Sequence, residues 1–272
     1  MSSRPAKDIG IEAWIDGVGL LAPGFIDWPQ GMQVLAGHAP YIAAPTLLPA
    51  PAVLPPAERR RASRMVKLAL GVGLEAVNSA GADAAILITV FSSSSGDGQN
   101  CHVLCECLAA EDHQVSPTRF TNSVHNTAAG YWGIATGATP ASQVICAYDA
   151  SFAAGLLEAL AQVRCERVPV LLIAYDAEYA GPLHDKRPLP DAGGIALLLS
   201  PAQSARSIAS IEIELNEAPL TTLADPTLEA LRCAIPALRG LPLLQVLAAR
   251  QSGCVSLEYL APLQLQATLN PC

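Results

Sequence analysis

Charge is scarce in this 272-residue chain. Only 15% of residues are Asp, Glu, Lys or Arg, while 51% are hydrophobic. The basic residues are outnumbered, 16 Lys and Arg against 24 Asp and Glu, for a net charge of −8. That balance excludes nucleic acid, whose phosphates call for clustered Lys and Arg. No apolar run is long enough to span a bilayer, so no membrane insertion is expected. The stretch Met1 to Asp8 is polar and mixed in charge and lacks the apolar core of a signal peptide, which points to a cytoplasmic chain. No P-loop or zinc-finger spacing occurs. The cysteines number eight, too few for a disulfide scaffold at this length, and buried reduced thiols are the expectation. Cys101, His102, Cys105 and Cys107 lie close together, but C-x3-C-x-C matches no common zinc pattern and no second ligand pair follows, so no metal is expected. One basic cluster stands out, Arg59, Arg60, Arg61, Arg64 and Lys67. It reads as a solvated helix face, with docking of an acidic carrier protein as the sharper alternative.

What is present is alternation of strand and helix patterns, the signature of layered α/β architecture. Ile11 to Leu21 reads as a strand with a glycine-containing turn. Pro23 to Pro56 is rich in proline and glycine and reads as covering loops with short elements. Pro56 to Ala80 carries helical periodicity, with Met65, Leu68, Ala69, Val72, Ala76 and Val77 on one side. Ala84 to Phe91 is a run suited to a strand buried on both faces. After the turn Ser92 to Asn100 comes a helix from about Cys101 to Ala110, an irregular stretch Ser116 to Asn126, and a small-residue helix Ala128 to Thr136. Gln143 to Cys146 reads as a strand, Ala147 to Asp149 as a tight turn, and Ser151 to Val163 as a helix. Strands follow at Val168 to Tyr175, Asp191 to Ser200 and Ser207 to Leu215, then a helix over Pro226 to Leu238. Leu241 to Ala249 and Val255 to Leu260 are further elements. With no internal repeat and no long linker, residues 1–272 are expected to form one domain.

Three segments together resemble the β-ketoacyl synthase superfamily. SPTRFTNSVHNTAAGYWGIATG, Ser116 to Gly137, is similar to the approach to the ketosynthase nucleophile. QVICAYDASFAAGLLEALAQV, Gln143 to Val163, resembles the strand, elbow and helix that hold that nucleophile. VPVLLIAYDAEY and PDAGGIALLLS resemble the next two strands. The best match is the short ketoacyl-synthase-like family that includes chain-length-factor-like subunits of aryl polyene and xanthomonadin-type pigment pathways. The resemblance spans roughly residues 10 to 215. It implies a shortened thiolase-like fold, layered α/β with a mixed central sheet and a reduced second half.

Condensing chemistry needs a cysteine thiolate at a helix N-terminus and histidines for decarboxylation and the oxyanion. Aligned on the family's C-x-A/S-S pattern, this chain reads Tyr148-Asp149-Ala150-Ser151, so Tyr148 stands at the nucleophile position. A phenol with a pKa near ~10 is a poor thioester acceptor. Asp149 beside it reads as a helix cap that would repel an oxyanion. The family's catalytic histidines lie in the second half. The five histidines here are His38, His102, His113, His125 and His184, and none follows His184.

No catalytic residue is therefore expected. The fallback candidates are Cys146, read mainly as a core-facing strand end; Ser151, read mainly as a helix-start hydrogen bonder; and His125, which Asn126 could orient. The serine run Ser92 to Ser95 lacks a G-x-S-x-G context and reads as a turn. The resemblance implies a subunit that pairs with a full-length β-ketoacyl synthase, with a homodimer as the alternative. It also implies contact with acyl carrier protein, no cofactor, and a substrate pocket bordered by Tyr148, Asp149, Phe152, His125 and Asn126. A stand-alone acyl-transfer or hydrolytic enzyme using Ser151 or Cys146 with His125 is the competing reading. A scaffold that never touches substrate is a third.

Overall fold

The structure, a computed structural model, describes residues 11–111 and 113–272. The polar stretch Met1 to Asp8 lies outside them. Its centre is an eight-stranded mixed sheet in the order β3-β2-β4-β5-β1-β6-β8-β7. The strands are β1 (Ile11–Leu21), β2 (Ile88–Ser92), β3 (Ser142–Ile145), β4 (Val170–Asp176), β5 (Gly193–Ser200), β6 (Ala209–Asn216), β7 (Gly253–Leu260) and β8 (Leu263–Pro271). β2 runs parallel to β3 and β4, and every other pairing is antiparallel.

Every residue of β4 and β5 is buried, because helices cover both faces. On one face lies α3 (Arg64–Ser79), with α6 (Thr127–Thr136) beside it. On the other lie α7 (Ser151–Glu166), α1 (Trp28–Leu35), α9 (Pro226–Ala234) and α10 (Leu241–Ala249). The short α2 (Pro56–Arg61), α4 (Gly98–Ala109), α5 (Pro117–Thr121) and α8 (Gly181–Lys186) sit in the connections.

Several elements differ from the sequence reading, each for a local reason. Ile11 to Leu21 contains no turn. The strand is continuous, with a bulge between Ile15 and Gly17, and Asp16 at the bulge accepts hydrogen bonds from Ser200 Oγ (2.6 Å) and Ser207 Oγ (2.7 Å). Pro56 to Ala80 is two helices, because Ala62 turns extended and Ser63 recaps the chain through its Oγ to Val66 N–H. Ala84 to Ile86 is a 3₁₀ turn capped by Asp83, so the strand begins at Ile88. The α4 helix begins at Gly98 because Asp97 caps it, accepting from Asn100 N–H at 2.9 Å. Pro236 ends α9 and converts the rest into a 3₁₀ turn over Pro236–Gly240. The segment beyond Val255 is a hairpin, β7–β8, whose second strand lies past the last element read from the sequence. It extends the first sheet and forms no separate layer.

The close approach of α3 to β1 depends on two glycines. A Cβ on Gly17 would lie 2.1 Å from the Ala76 carbonyl oxygen, and one on Gly19 would lie 2.0 Å from that of Val72. Helix and strand backbones therefore touch directly.

Candidate functional site

β3 ends at Ile145, and the chain turns through Cys146 and Ala147 into a 3₁₀ turn, Tyr148–Ala150, that feeds α7. Tyr148 sits in the left-handed region, φ 54°. A bulky residue there is strained and persists only where its surroundings hold it. Ser151 supplies that hold. Its hydroxyl donates to Tyr148 O (2.7 Å) and accepts from Ala147 N–H (3.0 Å), while its own carbonyl accepts from Ser92 Oγ. Buried and bonded on both sides, that hydroxyl is a turn lock with no base beside it in this network. A strained strand–turn–helix elbow is thus kept intact, with a phenol at its tip.

The Tyr148 side chain is 60% exposed. The Arg187 guanidinium carbon lies 3.6 Å from the ring centroid, a cation–π stack. Arg187 also pairs with Asp149 Oδ1, and Arg239 approaches Asp149 Oδ2 at 3.7 Å while pairing with Glu258 at 2.8 Å. Asp149 therefore anchors two arginines instead of capping α7; no side chain caps that helix. This corrects the capping expectation. The arginines come from residues 187 and 239, so nothing local to the elbow announced them.

Phe152, read as a pocket border, is fully buried in the core. It packs so closely on Gly240 that a Cβ there would lie 2.3 Å from its ring. Cys146 is exposed, not core-facing, and its thiol donates to the Ser94 carbonyl at 3.0 Å. Seven of the eight cysteines are exposed and Cys107 is half-buried, so the expectation of buried thiols is wrong. They fall on helix surfaces and strand edges, where a small side chain meets no core. The Cys101–Cys107 group gathers no metal-ligand set among the described residues.

His125 is half-buried beside Gly96, with Nε2 buried and unpartnered, and burial lowers its pKa, favouring the neutral imidazole. Asn126 precedes α6, where its side chain makes no cap. The basic cluster is not a freely solvated face either. Arg59 donates to the carbonyls of Ala52 and Leu54, and Arg64 pairs with Glu178 and Asp191.

Beneath the elbow lies a hub that the sequence did not signal. Asp176, at the end of β4, is fully buried. It accepts from Ser93 Oγ (3.2 Å), Ser94 N–H (2.8 Å), Ser94 Oγ (2.7 Å) and Ala237 N–H (2.9 Å). Burial pushes its pKa up to about 6 despite those donors. The serine run read as a turn is thus tied through one carboxylate to the 3₁₀ turn that contacts the elbow.

A mixed sheet covered by helices on both faces, with a strained strand-to-helix elbow at its edge, defines the class: a thiolase-like α/β chain of ketosynthase type. Residues 28–255 match the family described as beta-ketoacyl synthase, N-terminal domain, and the chain belongs to that family. No curated protein matches it. Among solved structures it is similar to a chain of the ketosynthase (ApeO) in complex with its chain length factor (ApeC) from Xenorhabdus doucetiae. That likeness has 21% identity and TM-score 0.70, over 94% of this chain and 98% of that one. A chain of the ishigamide ketosynthase/chain length factor matches at 16% identity and TM-score 0.71, over 95% and 99%. A third likeness is to a chain of AntDE:AntF, a type II PKS acyl-carrier protein in complex with its ketosynthase bound to the hexaketide. It shows 9% identity and TM-score 0.74, over 97% and 100%. At these identities the likenesses establish the fold.

Proposed function

We propose that this chain is a chain-length-factor-type subunit. It does not condense by itself, pairs with a full-length β-ketoacyl synthase, and helps shape the pocket for an acyl chain presented by acyl carrier protein. The aryl polyene or polyketide pigment pathways named by the sequence resemblance are the proposed setting. The observation that carries this reading is the elbow. The strained turn is kept, locked by Ser151, yet its tip holds a phenol stacked under Arg187 where condensation needs a thiolate.

Pairing is supported by the sheet edge. Among the described residues β3 pairs only with β2, so its outer backbone groups can extend a partner sheet. Near it, α6 exposes Ile134, and the α4–α5 region exposes Leu108 and Phe120, apolar groups that an obligate interface would cover. Tyr148 also faces outward, so any pocket it borders is completed by a partner surface. Heterodimer formation is favoured over a homodimer because two copies would bring no thiolate elbow to the complex.

Co-expression with a ketosynthase tests the reading. The expected result is a stable complex in which Tyr148→Ala alters product length. A chain that is monodisperse alone and becomes acylated by carrier thioesters contradicts it. One observation favours the stand-alone enzyme: the exposed Cys146 thiol and the His125 ring both abut the Ser94–Gly96 turn. An ester hydrolysis activity abolished by both Cys146→Ser and His125→Ala would establish that alternative.

A further inference from the structure

On the sheet face opposite α7, the half-buried and exposed positions Lys67, Gly71, Leu74, Glu75 and Asn78 follow one another along α3 at helical spacing. The proline-rich segment 45–56 crosses this stripe and is fastened at both ends. Thr46 donates from its N–H to Asp191 Oδ2 (2.7 Å) and from Oγ1 to the Ala192 carbonyl (2.6 Å). At the other end Leu54 is buried, and Arg59 donates to the carbonyls of Ala52 (2.9 Å) and Leu54 (3.0 Å). In between, Pro49 rests on α3 at Gly71, where a Cβ would lie 3.0 Å from the proline Cγ. Pro49 and Pro51 fix their own φ, so the tethered segment resists collapse onto the helix. A cavity of about 640 Å³ stays open beneath it, bounded by α3, Val18 of β1 and Trp28 of α1.

The walls are mainly apolar, and one of their few polar groups is a carboxylate without a counter-charge. Glu75 is half-buried. Its oxygens accept from Leu20 N–H (2.9 Å) and Trp28 N–H, which uses two of about four acceptor sites. Among the described residues no Lys, Arg or His pairs with it, and the charge that acts on it is the like charge of Asp27. Lys67, also in the wall, lies eight residues back along α3, about 12 Å, too far to pair. Burial raises the Glu75 pKa, opposed by the two N–H donors and by no cation. A carboxylate in apolar walls is costly until a cation meets it. An anion would be repelled, and a metal ion would leave the apolar walls empty. The volume lies in the range of small-molecule pockets, roughly 300–1,000 Å³. We infer that this cavity binds an apolar molecule bearing one protonated amine, the ammonium at Glu75 and the body against Trp28, Leu70 and Leu74. The inference stands apart from pairing. Neither β3 nor the Tyr148 elbow lines the cavity, so its failure leaves the proposed subunit role intact.

Titration calorimetry on the purified chain, or on the complex if it purifies as one, tests it with three probes of one shape: 4-phenylbutylamine, 4-phenylbutan-1-ol and 4-phenylbutyrate. The amine is expected to bind at least about fivefold more tightly than the alcohol, and the carboxylate most weakly. Glu75→Gln keeps the side-chain shape and removes the charge, and is expected to bring amine and alcohol to within about twofold of each other. Asn78→Lys, at an exposed position one turn from Glu75, sets an ammonium of the chain's own beside the carboxylate and is expected to weaken amine binding by at least about fivefold while circular dichroism stays unchanged. That variant decides the matter even where Glu75→Gln fails to fold. Equal affinity for amine and alcohol, tightest binding of the carboxylate, absence of saturable amine binding, or undiminished amine affinity in Asn78→Lys overturns the inference.

Discussion

Tyr148 combines three properties that rarely coincide: a left-handed backbone, a large exposed ring, and an arginine stacked on that ring. Left-handed φ costs a non-glycine residue about 1–2 kcal/mol, and the stack and the Ser151 lock offset part of that. Tyr148→Cys would place a thiol at a helix N-terminus, where the dipole favours thiolate. Iodoacetamide should therefore alkylate the introduced thiol faster than the eight native thiols, as read by peptide mapping, yet no condensation product should form, since none of the five histidines of this sequence lies after His184. Detection of a condensed product from Tyr148→Cys alone would contradict the account.

Asp176 carries a second prediction at this scale. Its folded pKa, about 6, lies above the ~3.9 of an unfolded aspartate. The folded state thus binds the proton more tightly. The group's contribution is full below pH ~4 and is lost as pH rises through about 6, a change of about 3 kcal/mol. Urea unfolding of the protein and of Asp176→Asn should show the native advantage shrinking by that order between pH 4 and pH 7. A constant difference would argue against the titration. None of this residue-level network was legible in the chain. Tyr148 at the nucleophile position could be read from the C-x-A/S-S spacing, but Arg187 and Arg239 meet the elbow, and Asp176 meets the Ser93–Ser94 turn, only through the fold, across separations no local pattern marks.

Among the elements, the elbow and the β1–α3 contact carry the most consequence. Ser151→Ala removes a buried hydroxyl bonded to Tyr148 O and Ala147 N–H, and should destabilise the chain by about 1–3 kcal/mol in chemical denaturation. A negligible change would mean that the turn is held elsewhere. Gly19→Ala forces a methyl into the Val72 carbonyl and should cost at least about 1–3 kcal/mol or prevent folding. Helices were readable because one buried face imposes periodicity, and β4 and β5 because burial on both faces imposes a continuous apolar run. Boundaries set by single caps, at Ser63 and Asp97, shifted by a few residues. The hairpin strand β8 does carry the apolar/polar alternation of a half-buried strand, but the reading ended at Leu260, one short turn before it.

For the whole molecule, the segment after β6 explains how a short chain closes its fold. Instead of building a second sheet, α9, α10 and the β7–β8 hairpin extend and cover the first. Of the two edges of the described sheet, β3 and β7, the β3 edge with the nearby Ile134 is the proposed partner surface. Phe120→Glu with Ile134→Glu, both at exposed positions, should leave the chain folded and abolish co-elution with a ketosynthase. Undiminished co-elution would place the contact elsewhere.

The most direct test is mass spectrometry of the co-purified pair after exposure to an acyl carrier thioester. Acyl label on the partner's cysteine, with none on this chain, is the predicted result. A stable acyl adduct on Tyr148, Cys146 or Ser151 would contradict the central claim that this elbow accepts no acyl group.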